Sequence, residues 1–168
     1  MKYFIGNWKM FGIPGSIKIL DRINNYVKKD KARSKNYKVI ISPPYTLLEN
    51  FTKSFKNKKI SISAQNCFHK NNYGSHTGFV SPYMIKKLGV KHVIIGHSEN
   101  REAGENNHIL KEKVLASVKN NLNIIFCIGE NKYEKRKKLT LNVLKNQIRK
   151  SLDKKYDFKK ILIAYEPI

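Results

Sequence analysis

Short runs of apolar, mostly β-branched residues alternate along this chain with longer stretches in which apolar residues recur every third or fourth position. The runs are YFIG (3–6), KVIIS (38–42), ISISA (60–64), HVIIG (92–96), NIIFCIG (123–129) and ILIAY (161–165). Most are apolar on consecutive residues, which is how parallel strands buried on both faces read. Between them, Ile19, Ile23 and Val27 are spaced by four, as are Leu47, Phe51 and Phe55, and Leu110, Val114 and Val118. Leu141, Leu144, Ile148 and Leu152 step by three, four and four. Each set would give a helix one apolar face. Ser81-Pro82 reads as a helix start, a capping hydroxyl followed by proline in the first turn.

The order is therefore β-α repeated, with six strands and five helices expected. Strand starts lie about 20 to 40 residues apart, as βα units require. No linker, low-complexity tract or break in composition interrupts residues 1–168, so a single α/β domain is expected. Two architectures accommodate the order: a doubly wound sheet and a (β/α)₈ barrel. A doubly wound nucleotide binder usually opens with a glycine-rich turn after its first strand. Here that strand ends in GNWKM, and no G-x-G-x-x-G occurs anywhere. The barrel is favoured.

Composition narrows the class. At 168 residues and 40% hydrophobic, the chain is long and apolar enough for a sizeable core. No apolar run approaches the roughly 20 residues needed to span a membrane. The N-terminal MKYFIGNWKM is apolar for only three residues before Gly6, too short for a secretory signal, so a cytoplasmic protein is expected. Cys67 and Cys127 form neither a metal spacing nor a disulfide framework and read as reduced thiols.

Charge offers a competing picture. The 34 basic residues against 12 acidic give a net +22, which suggests a nucleic-acid binder. Yet 29 of the 34 are Lys and only five are Arg, the usual bidentate reader of phosphate and guanine. The lysines are scattered over every expected helix, beside 18 Asn and 20 Ile. Solvated helix faces in a chain drifting toward Lys, Asn and Ile explain them better than a binding stripe. A positive field would still draw in an anionic substrate.

Polar residues collect where the strand runs give out. Strand one ends with Asn7 and Lys9, strand three with Gln65 and Asn66. Strand four ends with His97, Ser98 and Glu99, strand five with Gly129 and Glu130, strand six with Glu166. In a parallel barrel these carboxyl ends open on one face, and that face carries the chemistry. Taken alone, Lys9 reads as a solvated lysine, His97 as a satisfied structural histidine, and Glu166 before Pro167 as a turn residue. Their joint occurrence is what argues for a site.

The wording at those ends is specific as well. GNWKM (6–10), AQN (64–66), GHSENR (96–101), CIGE (127–130) and AYEP (164–167) resemble the triosephosphate isomerase family, in order and over essentially the whole chain. The resemblance implies that Asn7 and Lys9 contact substrate, that His97 is the electrophile and that Glu166 is the base. It implies Glu99, with Ser98, as groups standing behind Lys9 and His97. Thr77, in the long segment between Asn66 and Val80, matches a loop that enters the partner subunit's site in family dimers, so a homodimer is implied.

The implied reaction interconverts dihydroxyacetone phosphate and glyceraldehyde 3-phosphate through an enediolate. One carboxylate must lift a carbon-bound proton and return it one carbon along, which partial desolvation favours. The developing oxyanion needs preorganised donors. The family is itself the standard example of a catalytic imidazole kept neutral by a helix N-terminus, and GHSEN could supply that helix start. A small phosphorylated triose is the implied partner, with no metal and no cofactor, and neither membrane nor nucleic acid is expected as a partner.

Three departures stand out. Asn100 replaces the family's usual Arg, and Phe79 stands where an acid is common; those two positions are expected to pair across the dimer. EAGEN, after Arg101, is one residue shorter than usual. The family barrel has about 250 residues and eight strands, whereas this sequence ends after strand six, before the lid and phosphate-binding loops. The expectation is thus a truncated barrel of about six βα units, inactive on its own. The alternatives are another phosphate-handling barrel enzyme, a non-catalytic remnant and a basic nucleic-acid-binding protein.

Overall fold

The computed structural model describes residues 1–30, 36–56 and 58–167. The chain divides into two compact units, one of residues 1–65 with 87–92 and one of residues 66–86 with 93–168.

The first unit contains β1 (Lys2–Asn7), a 3₁₀ turn (Pro14–Ser16), α1 (Ile17–Lys29), β2 (Tyr37–Ser42), α2 (Tyr45–Ser54) and β3 (Ile60–Ala64). β1 pairs in parallel with β2, Gly6 facing Ile41 and Asn7 facing Ser42. β2 pairs in parallel with β3, Ile40 facing Ser61. This register aligns the carboxyl ends of β1 and β2, so Asn7 and Ser42 finish side by side. Leu20, Ile40, Leu47, Leu48, Phe51 and Ile60 form the core.

α3 (Pro82–Lys87) and β4 (His92–Ile95) each have residues in both units, and the second unit continues with α4 (Ser98–Glu102) and α5 (Asn107–Lys119). β5 (Asn123–Ile128), α6 (Lys132–Arg136), α7 (Thr140–Ser151), a 3₁₀ turn (Phe158–Lys160) and β6 (Ile161–Tyr165) complete it. β5 pairs in parallel with β6, Cys127 facing Ala164. Leu110, Val114, Leu122, Ile124 and Phe126 are buried. The side chain of Asn106 caps α5 by accepting from the N–H groups of His108 and Ile109, both at 3.0 Å. Such a cap contributes about 1 kcal/mol. Asn121, with φ 54°, turns the chain left-handed just past the other end of α5.

All six expected strands form within a residue or two of the apolar runs. Ser81 behaves as expected too, its hydroxyl accepting from Met84 N–H at 3.2 Å at the head of α3. Both cysteines are free and buried. The helices need three corrections. α4 and α6 raise the count above five; each has five residues, too few to display a period. α6 did carry a signal, an Asn131–Glu134 capping box.

The α1 stripe is turned from the expected one: Leu20, Asn24 and Val27 are buried, while Ile19 is 51% exposed. The reason is polar. Asn24 Oδ1 accepts the N–H of Lys59 at 3.1 Å, so an amide occupies the buried face. On α7, Leu141 is likewise exposed, and Gln147 is engaged with Gly129 instead.

Candidate active site

In the first unit, two hydrogen bonds hold the segment just past β1, one of them from Gln65, and a third ties Gln65 to the end of β2. Trp8 N–H donates to Ser42 O at 3.0 Å. Gln65, just past β3, donates from Nε2 to Lys9 O at 2.8 Å and to Ser42 O at 2.9 Å. One amide thus ties Lys9, two residues beyond β1, to the end of β2. Lys9 itself has φ 53°, a left-handed conformation that costs a residue with a Cβ and calls for an explanation. Its N–H donates to Asn7 Oδ1 at 3.0 Å, closing a two-residue turn that fixes Asn7 and Lys9 relative to each other. Trp8 packs edge-on against Phe51, centroids 5.6 Å apart. At Gly12, φ 112°, a Cβ would lie 2.8 Å from the Trp8 ring, so only glycine lets the chain pass.

The second unit assembles the imidazole and the carboxylate. Gly96, φ 79°, turns the chain out of β4 and leaves His97 at the N-cap of α4. His97 Nδ1 accepts the N–H of Glu99 at 3.3 Å. A backbone amide can only donate, so this ring nitrogen carries no proton, and the proton of the neutral ring sits on Nε2. Nε2 lies 3.4 Å from Glu166 Oε2. The other oxygen of Glu166 accepts the N–H of Ser98 at 2.7 Å. The expected helix after strand four therefore exists, and its first amide anchors the expected base. Glu99 Oε2 lies 3.5 Å from His97 Nδ1.

Close packing delivers Glu166. Its N–H donates to Ile128 O at 2.9 Å, carrying the β5–β6 pairing one residue past β6. A Cβ on Gly129 would overlap the Glu166 carbonyl, so residue 129 has no room for a side chain. Gln147 of α7 holds Gly129 from both sides, accepting its N–H at 3.0 Å and donating to its carbonyl at 2.9 Å.

Three groupings escaped the sequence reading. Arg101 lies in the quoted GHSENR but had no role assigned. Its Nε donates to Gly96 O at 2.8 Å, and its two terminal nitrogens to Cys127 O at 3.0 Å and Asn107 Oδ1 at 3.2 Å. Burial pulls the guanidinium pKa below its ordinary value. The second grouping is Glu130, 1% exposed, which accepts from Tyr165 Oη at 3.0 Å and Thr140 Oγ1 at 3.1 Å. Burial pushes its carboxyl up, but its own backbone N–H, Tyr165 and Thr140 outweigh that and hold it below the usual range. The bond to Glu130 raises the Tyr165 hydroxyl in return. The third is Lys113, 4% exposed, which donates to Asn66 Oδ1 at 2.8 Å and pairs with Glu105. Only a lysine inside an otherwise apolar helical stripe could have betrayed it.

Thr77 falls in the exposed run 71–79. Nearby, Phe79 stacks on Phe68 with centroids 4.3 Å apart, a use for the aromatic ring where an acid was expected. Both thiols are inert by environment: burial raises Cys67 to about 11 and Cys127 to about 12. Among the described residues, no cluster of three or more His, Cys, Asp or Glu could hold a metal, and no helix is long and apolar enough to cross a membrane.

A βα repeat with an acid and an imidazole brought together after two of its parallel strands defines the class: an α/β protein with an acid–imidazole pair at its strand ends. The profile of the triosephosphate isomerase family matches residues 2–168. The chain is 37% identical over 169 residues to the triosephosphate isomerase of Thermodesulfovibrio yellowstonii, covering 99% of this chain and 67% of that protein. It is 41% identical over 176 residues to that of Mycoplasma mobile, covering 99% and 69%. The solved structure of triosephosphate isomerase from Bartonella henselae matches with a TM-score of 0.91 at 35% identity, over 99% of this chain and 68% of that one. The chain belongs to the triosephosphate isomerase family. It spans about two thirds of the length of these relatives, and its fold is the expected (β/α)₈ type over six βα units.

Proposed function

We propose that this chain carries the reacting residues of an aldose–ketose isomerase that interconverts dihydroxyacetone phosphate and D-glyceraldehyde 3-phosphate. The observation that carries the reading is the His97–Glu166 pair: Nε2 stands 3.4 Å from the carboxylate while Nδ1 accepts from a backbone amide. Glu166 takes the proton from the carbon beside the carbonyl, and the electron pair of that C–H bond forms the carbon–carbon double bond of the enediolate. The carbonyl π electrons move onto oxygen, where the Nε2–H of His97 donates to the developing charge. Glu166 then returns the proton to the neighbouring carbon, whose new C–H bond takes the C=C electron pair. The adjacent hydroxyl becomes the carbonyl, and its proton passes to the oxygen that carried the charge.

Asn7 and Lys9, held in their turn by Gln65, bind the same substrate; the strained backbone of Lys9 supports that role. Lys9 contributes a point charge to the anionic substrate. The family match supports residues 1–168 acting as one domain of a cytoplasmic homodimer with no cofactor, the exposed run bearing Thr77 reaching the partner copy. The test is a coupled assay of triose phosphate interconversion on the product of the full reading frame. Turnover that disappears with Glu166→Gln supports the reading; turnover unchanged by that substitution rejects it.

A further inference from the structure

Gln147 of α7 meets the end of β5 with a primary amide, a planar group that carries both an acceptor and a donor. Its Oε1 accepts Gly129 N–H at 3.0 Å, and its Nε2 donates to Gly129 O at 2.9 Å. One side chain therefore satisfies both polar groups of one backbone residue. Two bonds from a rigid plane fix the tilt of that residue as well as its position, where a single bond would let it pivot.

The backbone of Glu166 rests on this same residue. Glu166 N–H donates to Ile128 O at 2.9 Å, which lays the acid alongside the end of β5. A Cβ on Gly129 would stand 2.8 Å from the Glu166 carbonyl carbon and 3.5 Å from Pro167 N. The two backbones are thus in close contact, with no side chain on residue 129 to take up slack. Packing this close transmits a displacement instead of absorbing it. The carboxylate end of Glu166 is pinned separately, by Ser98 N–H at 2.7 Å. A shift of Gly129 therefore changes how the acid lies between β5 and α4.

Residue 130 is gripped from the same helix. Thr140 stands two turns before Gln147 on one side of α7, and its Oγ1 donates to Glu130 Oε1 at 3.1 Å. Tyr165 Oη donates to that same oxygen at 3.0 Å. Consecutive residues past β5, 129 and 130, thus connect α7 to consecutive residues at the end of β6, 166 and 165. All of them lie in the second unit. Burial explains why the polar groups of Gly129 need partners. It does not explain a two-point clamp on the residue that supports Glu166.

We propose that Gln147 is a positioning residue for the isomerase reaction. Its amide holds Gly129 where the Glu166 backbone bears on it, and so sets the reach of the carboxylate toward the substrate carbon. The inference rests on the reading of Glu166 as the base. Because Gln147 acts through Gly129 and not on the substrate, its effect falls on the chemical step more than on binding.

Steady-state kinetics on the product of the full reading frame test the proposal. Gln147→Met keeps the length of the side chain and removes both hydrogen bonds. Its kcat should fall roughly 10- to 100-fold, with KM within about twofold of the parent. Leu144→Ala, one turn earlier on α7, removes half-buried packing without touching Gly129. It should lower the melting temperature while kcat stays within about twofold. Should Gln147→Met not fold, Gln147→Glu keeps the bond from Gly129 N–H, loses the one to its carbonyl, and should lower kcat at constant KM. A kcat unchanged in the Gln147 variants would overturn the proposal, as would a loss that tracks melting temperature equally in Leu144→Ala. Glu166→Gln, measured alongside, separates the two claims. Turnover lost there but kept in Gln147→Met sinks this proposal alone; turnover kept in Glu166→Gln sinks the isomerase reading and this proposal with it.

Discussion

His97 Nε2 and Glu166 Oε2 stand 3.4 Å apart, and each side chain is held on its far side by an amide of the same short helix. Glu99 N–H reaches Nδ1 of the ring, and Ser98 N–H reaches Oε1 of the carboxylate. One turn of helix therefore fixes the tautomer of the imidazole and the position of the acid. Neither amide can be removed by a side-chain substitution.

On the proposed reading, the Glu166 carboxylate is the base. Glu166→Gln keeps the shape and the Ser98 contact but cannot accept a carbon-bound proton, so kcat should fall by roughly 10²–10⁴-fold. Circular dichroism and the melting temperature should barely move. A variant with unchanged kcat would remove Glu166 from the role of base.

Arg101 should prove necessary to the fold. It donates to Gly96 O, Cys127 O and Asn107, joining the end of β4 to β5 and α5. Lys at this position keeps the charge but loses the fork, leaving buried carbonyls unpaired. We expect Arg101→Lys to cost about 2 kcal/mol in denaturant unfolding. Unaltered stability would show that those carbonyls find water or other donors.

Two glycines should respond differently to the same methyl. At Gly129 a Cβ overlaps the backbone of Glu166, so Gly129→Ala should destabilise by about 1–3 kcal/mol and depress kcat by moving the base. At Gly15 nothing lies within 4 Å of a Cβ, and Gly15→Ala should stay within about 0.5 kcal/mol of the parent. Equal effects in thermal melts would discount the close approach at Gly129.

Acid should weaken the fold through His92. Burial, reinforced by Lys38 and Lys91, pushes its imidazole down to about 4 from 6.5. Its Nδ1 is buried without a partner. The unfolded chain takes up a proton near pH 6.5 that the folded chain refuses until about pH 4. The stabilisation is complete above the higher value and drains away as pH falls toward the lower, by of order 3 kcal/mol. His92→Phe should flatten that part of the stability–pH curve, as urea midpoints between pH 7 and pH 4 would reveal. An identical slope in the variant would place the acid sensitivity elsewhere.

The strands were legible because consecutive β-branched residues have few other uses, and all six appear where the runs lie. The helix faces were less so. Hydrophobic spacing cannot foresee that Asn24 is recruited inward to accept from Lys59 and rotates the buried face of α1. The strand-end motifs named residues that lie close together: His97 is 3.4 Å from Glu166 and 3.5 Å from Glu99, and Ser98 N–H donates to Glu166. The support lay hidden. Gln65, Arg101, Gln147 and Tyr165 act through backbone carbonyls and a buried acid, and those partners exist only once the chain is folded.

Proton exchange with solvent tests the central claim most directly. Dihydroxyacetone phosphate incubated in D₂O with the product of the full reading frame should gain deuterium at the carbon bearing the hydroxyl, while glyceraldehyde 3-phosphate appears labelled beside its aldehyde. Both signals should vanish in Glu166→Gln. Deuterium entering at the same rate in that variant would contradict the assignment of Glu166 as the group that carries the proton.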